Sequence, residues 1–165
     1  MTEATTVYLG LGSNMGDRQG NLDRALDFLS QRLRMGKISS VYDTEPTGNV
    51  EQPRFLNLVC QAYTRLTPEA LLALAKGIEK KLGRAGKSGN PRPIDIDILL
   101  FGEQVVETPE LVIPHPRMAE RAFVLIPLAE IAPDLAHPVS GKKIKELADG
   151  VKEKQGVLKL NNQEE

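Results

Sequence analysis

Two carboxylates, Asp95 and Asp97, lie two residues apart in the otherwise apolar segment 94–101. In a β-strand such residues project from the same face, separated by about 6.6–6.8 Å of rise along the strand. Aligned carboxylates repel each other unless a cation lies between them, and hard oxygen ligands suit magnesium carried by phosphates. The pair therefore predicts a magnesium-dependent nucleotide enzyme of phosphoryl-type transfer, although an Asp-x-Asp pair is also typical of a polar, solvated sheet face.

A basic segment directly precedes these carboxylates. Arg84, Lys87 and Arg92 lie in the Gly- and Pro-rich segment 84–93. Arg side chains bind phosphate oxygens through two parallel hydrogen bonds, whereas Lys supplies a movable point charge. A basic loop by itself is more often simply solvated, but its position next to two aligned carboxylates favours contacts with the phosphates of a metal-bound nucleotide.

One of the two histidines lies among further cations. His115 stands between two prolines, which restrict the backbone, and Arg117 and Arg121 follow shortly after it. This histidine is a candidate hydrogen-bond partner of a phosphate, and the alternative is an imidazole that the loop backbone satisfies. His137 has no comparable neighbours, and no role is assigned to it.

The segment 10–14, Gly-Leu-Gly-Ser-Asn, is predicted to open a polar loop after the first strand. It is not a P-loop, because Gly-Lys-Ser/Thr is missing, and it is not GxGxxG. Two interpretations stay open for this segment: a simple strand-to-helix turn, or a loop that closes over a ligand.

The composition of the 165-residue chain limits its partners. Twenty-one basic and 22 acidic side chains give a formal net charge of -1, so no overall field attracts nucleic acid or anionic lipid. No stretch approaches the ~18 apolar residues of a membrane span, and the N-terminus shows no signal segment. These features predict a cytoplasmic location. Cys60, the single cysteine, is predicted to be a buried, reduced thiol.

The periodicity of apolar residues predicts the elements that position these groups. The predicted strands cover residues 6–11, 37–42, 55–66, 94–101 and 157–160. The predicted helices cover residues 22–33, 68–82, 117–131 and 143–148. Thr67 is expected to cap the second helix and Gly83 to end it. Gly36 is expected to close the first helix, and a hairpin is expected at Gly102-Glu103.

The order of these elements predicts the fold class. Strands and helices mix without the regular alternation of a parallel doubly wound sheet, and the hairpin favours antiparallel pairing. We therefore expect an α+β fold with a mainly antiparallel sheet and helices packed on it. Because no internal repeat or interdomain linker is evident, residues 1–165 are expected to form one domain, with a frayed tail at 161–165.

The carboxylate segment belongs to a linked set of motifs. They are GSN at 12–14, YDTEP at 42–46, QPRFLN at 52–57, RPIDIDILLFG at 92–102, IPHPRM at 113–118 and ERAFVL at 120–125. In this order and spacing, over residues 7–133, they resemble the 6-hydroxymethyl-7,8-dihydropterin pyrophosphokinases of folate biosynthesis. The resemblance is specific because several motifs, not one, carry it.

The resemblance implies a ferredoxin-like fold and transfer of the diphosphate of ATP to 6-hydroxymethyl-7,8-dihydropterin, with release of AMP. It implies two magnesium ions, both held by Asp95 and Asp97 and bound to the ATP phosphates. The resemblance also implies that Arg84 and Arg92 are catalytic residues, together with these carboxylates. Both substrates are small molecules, and a monomer suffices to bind them. The residues that the resemblance places around ATP are Glu79, Arg84, Lys87, Arg92, Ile98, Val112, His115 and Arg121.

The resemblance places the pterin apart from ATP. Phe55 and Phe123 would sandwich its flat ring, and Asn57 would read its amide-like edge. On the residues alone, each phenylalanine could equally be a core residue. The remaining hydrogen bonds would come from backbone groups around Thr44, Glu45 and Thr47.

The chain departs from the family pattern between the two arginines of the basic segment. Some members carry a tryptophan there that closes over the pterin, whereas this chain has no tryptophan and places Gly89-Asn90 in a short segment. Lys87 is the candidate mobile cation of this segment. Lys76 stands where some members have a glutamine that contacts the nucleotide, and it is left out of the site.

Two other functions stay open on the residues alone. Asp-x-Asp metal sites also serve glycosyltransferases and nucleotidyltransferases, although those families do not explain the motifs around Asn57 and Phe123. A binding module that keeps the ligand pockets without turnover is the second alternative, suggested by the short segment 85–91. Formation of AMP from ATP distinguishes the pyrophosphokinase from both alternatives.

Overall fold

The structure is a computed structural model that describes residues 3–44, 54–83, 93–151 and 157–160. Within these residues the strands are β1 (Thr5–Ser13), β2 (Arg34–Ile38), β3 (Tyr42–Thr44), β4 (Phe55–Thr64), β5 (Asp95–Phe101), β6 (Val106–Glu107), β7 (Val112–Ile113) and β8 (Val157–Lys159). The α-helices are α1 (Arg18–Ser30), α2 (Pro68–Lys81), α3 (Ala122–Ile131) and α4 (Ile144–Val151), and a 3-10 helix covers Met118–Glu120.

The main sheet is antiparallel and has the strand order β5-β1-β4-β3-β8, with β2 pairing with β4 as well. Strand β1 lies between β4 and β5 and pairs with both along much of its length. The succession β1-α1-β2/β3-β4-α2-β5 with this order is the ferredoxin-like arrangement. The predicted α+β class and the antiparallel sheet are confirmed.

The two faces of the sheet bury different apolar clusters, because successive strand residues point to opposite sides. On one face, Leu9, Leu11 and Ile96 pack with apolar residues of α1 and α2. On the other face, Val59 and Leu99 pack with apolar residues of α3 and α4. The sheet is therefore the middle layer between two pairs of helices, as burial of both apolar faces requires.

The boundaries of α2 follow from its terminal residues. Thr67 Oγ1 accepts a hydrogen bond from the backbone N–H of Ala70 at 3.1 Å, which caps the first turn. Gly83, with φ of 92°, lies just beyond the last helical residue, where a left-handed conformation suits glycine. The predicted start and end of this helix are confirmed.

The predicted strand at 37–42 is wrong, because the chain forms two short strands there. Ser39 separates β2 from β3: its N–H donates to Val59 O at 2.9 Å, and its Oγ accepts from Val59 N–H at 2.9 Å. The hydroxyl thus replaces a backbone acceptor. The register of β2 with β4 shifts before this point, between Met35 and Ile38. Gly36 lies within β2 and does not close α1, which ends at Ser30.

The predicted helix at 117–131 is interrupted. Arg121 has extended backbone angles, φ of −112° and ψ of 106°, and separates the 3-10 helix from α3. This break leaves Arg121 at the N-terminus of α3 and Phe123 in its first turn. Apolar periodicity alone did not reveal the break, because Met118 and Ala122 on its two sides are both fully buried.

A hairpin at Gly102-Glu103 would pair β5 with the strand that follows it, and the structure does not form this pairing. The chain does turn there, with Gly102 at φ of 55°, but β6 pairs with β7 and not with β5. Other groups use backbone positions of β5: Leu99 O accepts from His115 N–H at 3.0 Å, and Ile96 N–H donates to Glu79.

Two composition-based expectations can be compared with the structure. Cys60 is fully buried, as predicted, and burial raises the pKa of its thiol to about 12, so the thiol stays protonated. Across residues 3–44, 54–83, 93–151 and 157–160, no helix combines the length and apolar character that crossing a membrane requires.

Candidate active site

Two glycines of β1 create a strip without side chains across one face of the sheet. Gly10 pairs with Asp97 and Gly12 pairs with Asp95 on β5, while Gly12 also pairs with Asn57 on β4. Residues directly opposite each other on antiparallel strands project from the same face. The two carboxylates therefore lie on one side of the strip, and the Asn57 amide lies on the other.

The glycine at position 12 is required by a close approach. A Cβ at this position would lie 2.5 Å from Asn57 Oδ1 and 3.4 Å from the Phe55 ring. Helix α3 packs on the same face, where its apolar residues contact Val59 and Leu99. The strip therefore lies on the sheet face that α3 covers, and Arg121 begins that helix.

Negative charge accumulates on the β5 side of this strip. Burial and, after it, the charges of Asp95 and Glu79 raise the pKa of Asp97 to about 6, against the opposing charges of Arg121 and Lys76. A raised carboxylate pKa means that the ionised form is destabilised in the protein alone. A bound cation would relieve this repulsion, and two carboxylates with phosphate oxygens are the hard ligands that magnesium prefers. The donor set therefore fits magnesium carried by a nucleotide.

The described residues provide no larger metal cluster. Over these parts of the chain, no group of three or more His, Cys, Asp and Glu side chains is arranged to hold a metal ion. Asp95 and Asp97 therefore need oxygens from a ligand or water to complete a magnesium shell, which usually contains six oxygens. This requirement agrees with a metal that arrives with ATP.

Glu79 fixes the backbone between the two carboxylates. Its side chain on α2 is only 1% exposed, and its Oε2 accepts a hydrogen bond from Ile96 N–H at 2.7 Å. Lys76 Nζ lies 3.7 Å from the other carboxylate oxygen. The sequence contains a signal for this role, because Glu79 continues the buried stripe of Leu71 and Ala75 at four-residue spacing. A buried carboxylate in an apolar stripe needs a donor, and Ile96 supplies it.

His115 is held so that one ring nitrogen remains available to a ligand. Its backbone N–H donates to Leu99 O at 3.0 Å, and its Nδ1 accepts from the Arg117 N–H at 3.2 Å. Burial lowers the pKa of His115, and the charges of Arg121 and Arg117 lower it further. In the neutral ring an accepting Nδ1 places the proton on Nε2. The geometry therefore presents a neutral N–H donor beside the carboxylates.

Among the described cations, Arg121 has the largest electrostatic effect on Asp97. Burial lowers its pKa, while Asp97 and Asp95 raise it. Its Nε is buried and has no hydrogen-bond partner among the described residues, and its guanidinium carbon lies 5.4 Å from the centre of the Phe123 ring. A buried N–H without an acceptor is unfavourable, so an incoming oxygen anion would gain a preformed donor here.

The far side of the strip carries paired polar groups and partly exposed rings. Asn57 Nδ2 donates to Thr44 Oγ1 at 2.6 Å, which fixes the amide so that Oδ1 faces the strip. Phe55 and Phe123 are both partly exposed and are not among the fully buried core residues. The oriented amide lies near the Phe55 ring at Gly12, and the Phe123 ring lies beside Arg121. An amide and partly exposed rings suit a flat heterocycle with a donor–acceptor edge.

The side chain of one predicted ATP residue, Ile98, lies away from the strip, and another, Val112, is exposed on β7. Ile98 is 5% exposed and packs with α1 and α2 on the opposite face, so only its backbone faces β1. Val112 is 39% exposed on β7, which lies beside β5. The structure therefore brings together Thr44, Phe55, Asn57, Glu79, Asp95, Asp97, His115, Arg121 and Phe123, but not the side chain of Ile98.

Several predicted site residues lie outside the described residues. They are Glu45, Thr47, Arg84, Lys87 and Arg92. The described chain ends its second segment at 83 and resumes at 93, two residues before Asp95. The predicted start of the polar loop at Gly10 is wrong, because β1 continues to Ser13 and the loop covers residues 14–17. Gly10 and Gly12 act within a strand, and their role became visible only through their register with Asp97, Asp95 and Asn57.

Known proteins resemble this chain over most of its length. Residues 8–133 match the model of the family described as 7,8-dihydro-6-hydroxymethylpterin-pyrophosphokinase (HPPK). A 2-amino-4-hydroxy-6-hydroxymethyldihydropteridine pyrophosphokinase of Aquifex aeolicus is 45% identical over 142 residues, covering 86% of this chain and 89% of that protein. A Bacillus subtilis protein of the same name is 47% identical over 128 residues, covering 76% and 77%.

Solved structures show the same fold. A Plasmodium falciparum HPPK-DHPS crystal structure aligns with a TM-score of 0.75 at 17% identity, over 92% of this chain and 47% of that chain. A second structure of the same protein, with pteroate, also gives 0.75 and covers 93% and 44%. This chain thus spans less than half of those chains, and the likeness concerns the fold. By the extent of the family match and the identity to its relatives, the chain belongs to the 7,8-dihydro-6-hydroxymethylpterin-pyrophosphokinase family.

Proposed function

We propose that this chain transfers the diphosphate group of ATP to 6-hydroxymethyl-7,8-dihydropterin and releases AMP, a step of tetrahydrofolate biosynthesis. The family match over residues 8–133 supports this activity. The observation that carries the proposal is the arrangement across Gly12, with the carboxylate of Asp95 on one side and the amide of Asn57 on the other. A phosphate donor and a pterin acceptor can therefore meet over one strip of backbone.

The reaction balances as a single displacement at phosphorus. The hydroxymethyl oxygen of the pterin attacks the β-phosphorus of ATP, and the bond from that phosphorus to the α–β bridging oxygen breaks. AMP leaves with the bridging oxygen, the β- and γ-phosphates move together to the pterin, and the hydroxyl proton passes to solvent. Because such reactions depend mainly on positioning and charge, the residues that hold the two substrates carry the catalysis.

The carboxylates hold the metal-bound phosphates. Asp95 and Asp97 would hold two magnesium ions carried by ATP, and these ions would supply positive charge that neutralises the phosphates. The raised pKa of Asp97 supports this role, because burial and the nearby carboxylates make a cation favourable there. Glu79 keeps both side chains on the site face by fixing the Ile96 amide between them.

Cations and one neutral donor complete the ATP site. Arg121 donates to phosphate oxygens, which gives its unpaired Nε an acceptor. His115 donates through Nε2–H, consistent with its lowered pKa and with Nδ1 acting as an acceptor. The remaining ATP contacts in the proposal come from Glu79 and from Arg84, Lys87, Arg92, Ile98 and Val112.

The pterin lies on the β4 side of the strip. Phe55 and Phe123 stack on the two faces of its ring, and Asn57 reads its amide edge. Thr44 holds the Asn57 amide in place. Burying an oriented amide that only the correct heterocycle can satisfy is an effective source of specificity. Backbone groups around Thr44, Glu45 and Thr47 supply the other hydrogen bonds of the proposal.

The partners of the proposed enzyme are its two substrates. The formal charge of -1 gives no general attraction for nucleic acid or anionic lipid. In the proposal the chain acts as a monomer in the cytoplasm. Alternative glycosyl- or nucleotidyltransferase activity at the Asp-x-Asp pair is not favoured, because the family match extends over 8–133 and not over that pair alone.

The proposal is tested by product analysis. The purified chain is incubated with ATP, magnesium and 6-hydroxymethyl-7,8-dihydropterin, and AMP and the diphosphorylated pterin are quantified. Equal amounts of both products are expected, and both should depend on the pterin. An Asp97→Asn variant is the control for contaminating activity. Folded protein that forms no AMP above the blank would overturn the proposed function.

A further inference from the structure

Each side chain of the short strand β3 contacts a neighbouring element. Tyr42 Oη donates to Glu130 on α3 at 2.7 Å, Asp43 forms an ion pair with Arg54, and Thr44 Oγ1 accepts from Asn57. A strand of three residues forms few backbone hydrogen bonds with its neighbours. Side-chain contacts therefore contribute a large part of what holds β3 in place.

Glu130 concentrates several of these contacts at the last turn of α3. Its carboxylate accepts from Ser40 N–H at 3.1 Å and from Ser40 Oγ at 2.9 Å, in addition to Tyr42. Hydrogen bonds to an ionised acceptor are stronger than those between neutral groups. Burial, followed by the hydrogen bond to Glu130, raises the pKa of Tyr42, so its hydroxyl stays a donor. The C-terminal turn of α3 is thus fixed to the chain that enters β3.

The two elements joined in this way carry opposite parts of the proposed pterin site. Helix α3 carries Phe123 in its first turn, seven residues before Glu130, or about 10 Å along the helix axis. Tyr42 is the register partner of Asn57, which in turn pairs with Gly12. Tyr42 therefore connects the β3–β4 pair, which carries Asn57, to helix α3, which carries Phe123.

From these contacts we infer that Tyr42 and Glu130 form a positioning pair that sets the spacing between Phe123 and Asn57. Neither residue belongs to the set that contacts ATP or the pterin in the proposed site. The inference rests on the proposed function and deepens it, because it assigns pterin affinity to a contact at the far end of α3. Losing the contact lets α3 shift relative to β3 and β4, which loosens ring stacking on Phe123. Arg121 begins the same helix, but Asp95, Asp97 and His115 of the proposed phosphate side lie outside α3, so ATP binding is affected less.

The test separates the two substrates by steady-state kinetics. Tyr42→Phe removes one hydroxyl, Glu130→Ala removes the acceptor, and Glu130→Gln keeps a neutral acceptor. We expect the first two variants to raise KM for the pterin about fivefold to tenfold, with kcat and KM for ATP within about twofold. The KM of Glu130→Gln for the pterin should lie between the values for these two variants and the value for the unaltered protein. The double variant Tyr42→Phe/Glu130→Ala should be no worse than the poorer single variant, because both remove one contact.

A matched control uses the same chemical change on α4. Glu146 Oε1 accepts from Lys143 N–H at 2.9 Å, so Glu146→Gln alters a carboxylate that holds a helix start and leaves the link to β3 intact. Its KM for the pterin should stay within about twofold of the unaltered protein. Thermal melting of every variant reports any general loss of stability.

Two results would overturn the inference. One is an unchanged KM for the pterin in folded Tyr42→Phe and Glu130→Ala proteins. The other is a parallel rise of both KM values with additive effects in the double variant, which indicates general loosening of the fold. If the unaltered chain forms no AMP, the proposed function fails and the inference fails with it. AMP formation with an unchanged pterin KM removes only the inference.

Discussion

The two sides of the glycine strip differ in how their polar groups are satisfied. On the β4 side, Asn57 is bonded to Thr44. On the β5 side, burial and nearby carboxylates raise the pKa of Asp97 to about 6, and Arg121 Nε has no hydrogen-bond partner among the described residues. The β4 side, the proposed pterin side, is therefore arranged before any ligand binds. The β5 side, the proposed phosphate side, holds charges that are only partly compensated.

This difference explains how one small fold can serve two dissimilar substrates. A neutral heterocycle gains most from a rigid, preorganised slot, because the cost of ordering is already met in the free protein. A metal-bound triphosphate carries its own charges. The partly compensated charges on the β5 side gain most stabilisation from these charges. Substitutions on the phosphate side should therefore lower activity without lowering stability. Substitutions on the pterin side should lower ligand binding and stability together.

The largest effect is expected for Asp97→Asn. Loss of a metal-binding carboxylate should lower kcat/KM about a thousandfold or more. The same change removes a buried charge that Asp95 and Glu79 destabilise, so the free energy of unfolding of the magnesium-free protein at pH 7 should rise by about 1 kcal/mol. Kinetics and urea unfolding with a chelator measure the two effects. A variant that is both inactive and less stable would contradict the contrast between the two sides.

A smaller but still large effect is expected for Gly12→Ala. The added Cβ would lie 2.5 Å from Asn57 Oδ1, so the amide must move away from the strip. Pterin affinity should fall about tenfold to a hundredfold, and stability should fall by about 1–3 kcal/mol. Gly77→Ala on α2 is the matched control, because nothing lies within 4 Å of its added Cβ and alanine favours a helix. Unchanged pterin binding in folded Gly12→Ala would show that Asn57 does not form the slot.

Thr44→Val is expected to weaken binding of the pterin moderately and to leave binding of ATP unchanged. The valine keeps the shape but removes the oxygen that accepts from Asn57 Nδ2. The amide then loses its fixed orientation, and KM for the pterin should rise about threefold to tenfold while KM for ATP stays the same. Isothermal titration of each ligand checks the split. A weaker affinity for ATP would argue against separate sides.

The smallest effect concerns the pH dependence of the Glu130 contact. Burial by itself would raise the pKa of Glu130, but hydrogen bonds from Tyr42 and Ser40 outweigh it and hold the pKa below its ordinary value. A depressed carboxylate pKa adds stability above the unfolded value of 4.5, and this stability is lost as pH falls through the folded pKa.

The melting temperature should therefore respond to the Glu130→Gln change in a pH-dependent way. The melting temperature of the unaltered protein should exceed that of this variant by no more than about 2 °C at pH 6, because Glu130 itself is exposed to solvent. The difference should shrink as the pH is lowered toward 3.5. A difference that grows on acidification would contradict the assigned sign.

Much of this arrangement could be predicted from local patterns. Alternation placed Asp95 and Asp97 on one face, and Thr67 and Gly83 marked the ends of α2, because each of these signals depends on neighbours in sequence. The β2–β3 break could not be predicted in this way. It depends on the Ser39 hydroxyl meeting the backbone of Val59, twenty residues away.

The least predictable features depend on pairing between distant strands. The pattern contains Gly12 and Asn57, but only strand register shows that one must lack a side chain for the other to fit. The hairpin after β5 was predicted from a turn signal, whereas the backbone of β5 is used by Glu79 and His115. Local propensity does not report such competition for a strand edge.

The most direct measurement of the central claim follows the β-phosphorus of ATP. With ATP labelled at that position, diphosphate transfer predicts that the label appears in the pterin product and that the nucleotide product is unlabelled AMP. The unaltered protein should show this result with pterin present, and Asp97→Asn should show neither product. Label retained in ADP, or released as inorganic diphosphate without a pterin product, would contradict the account.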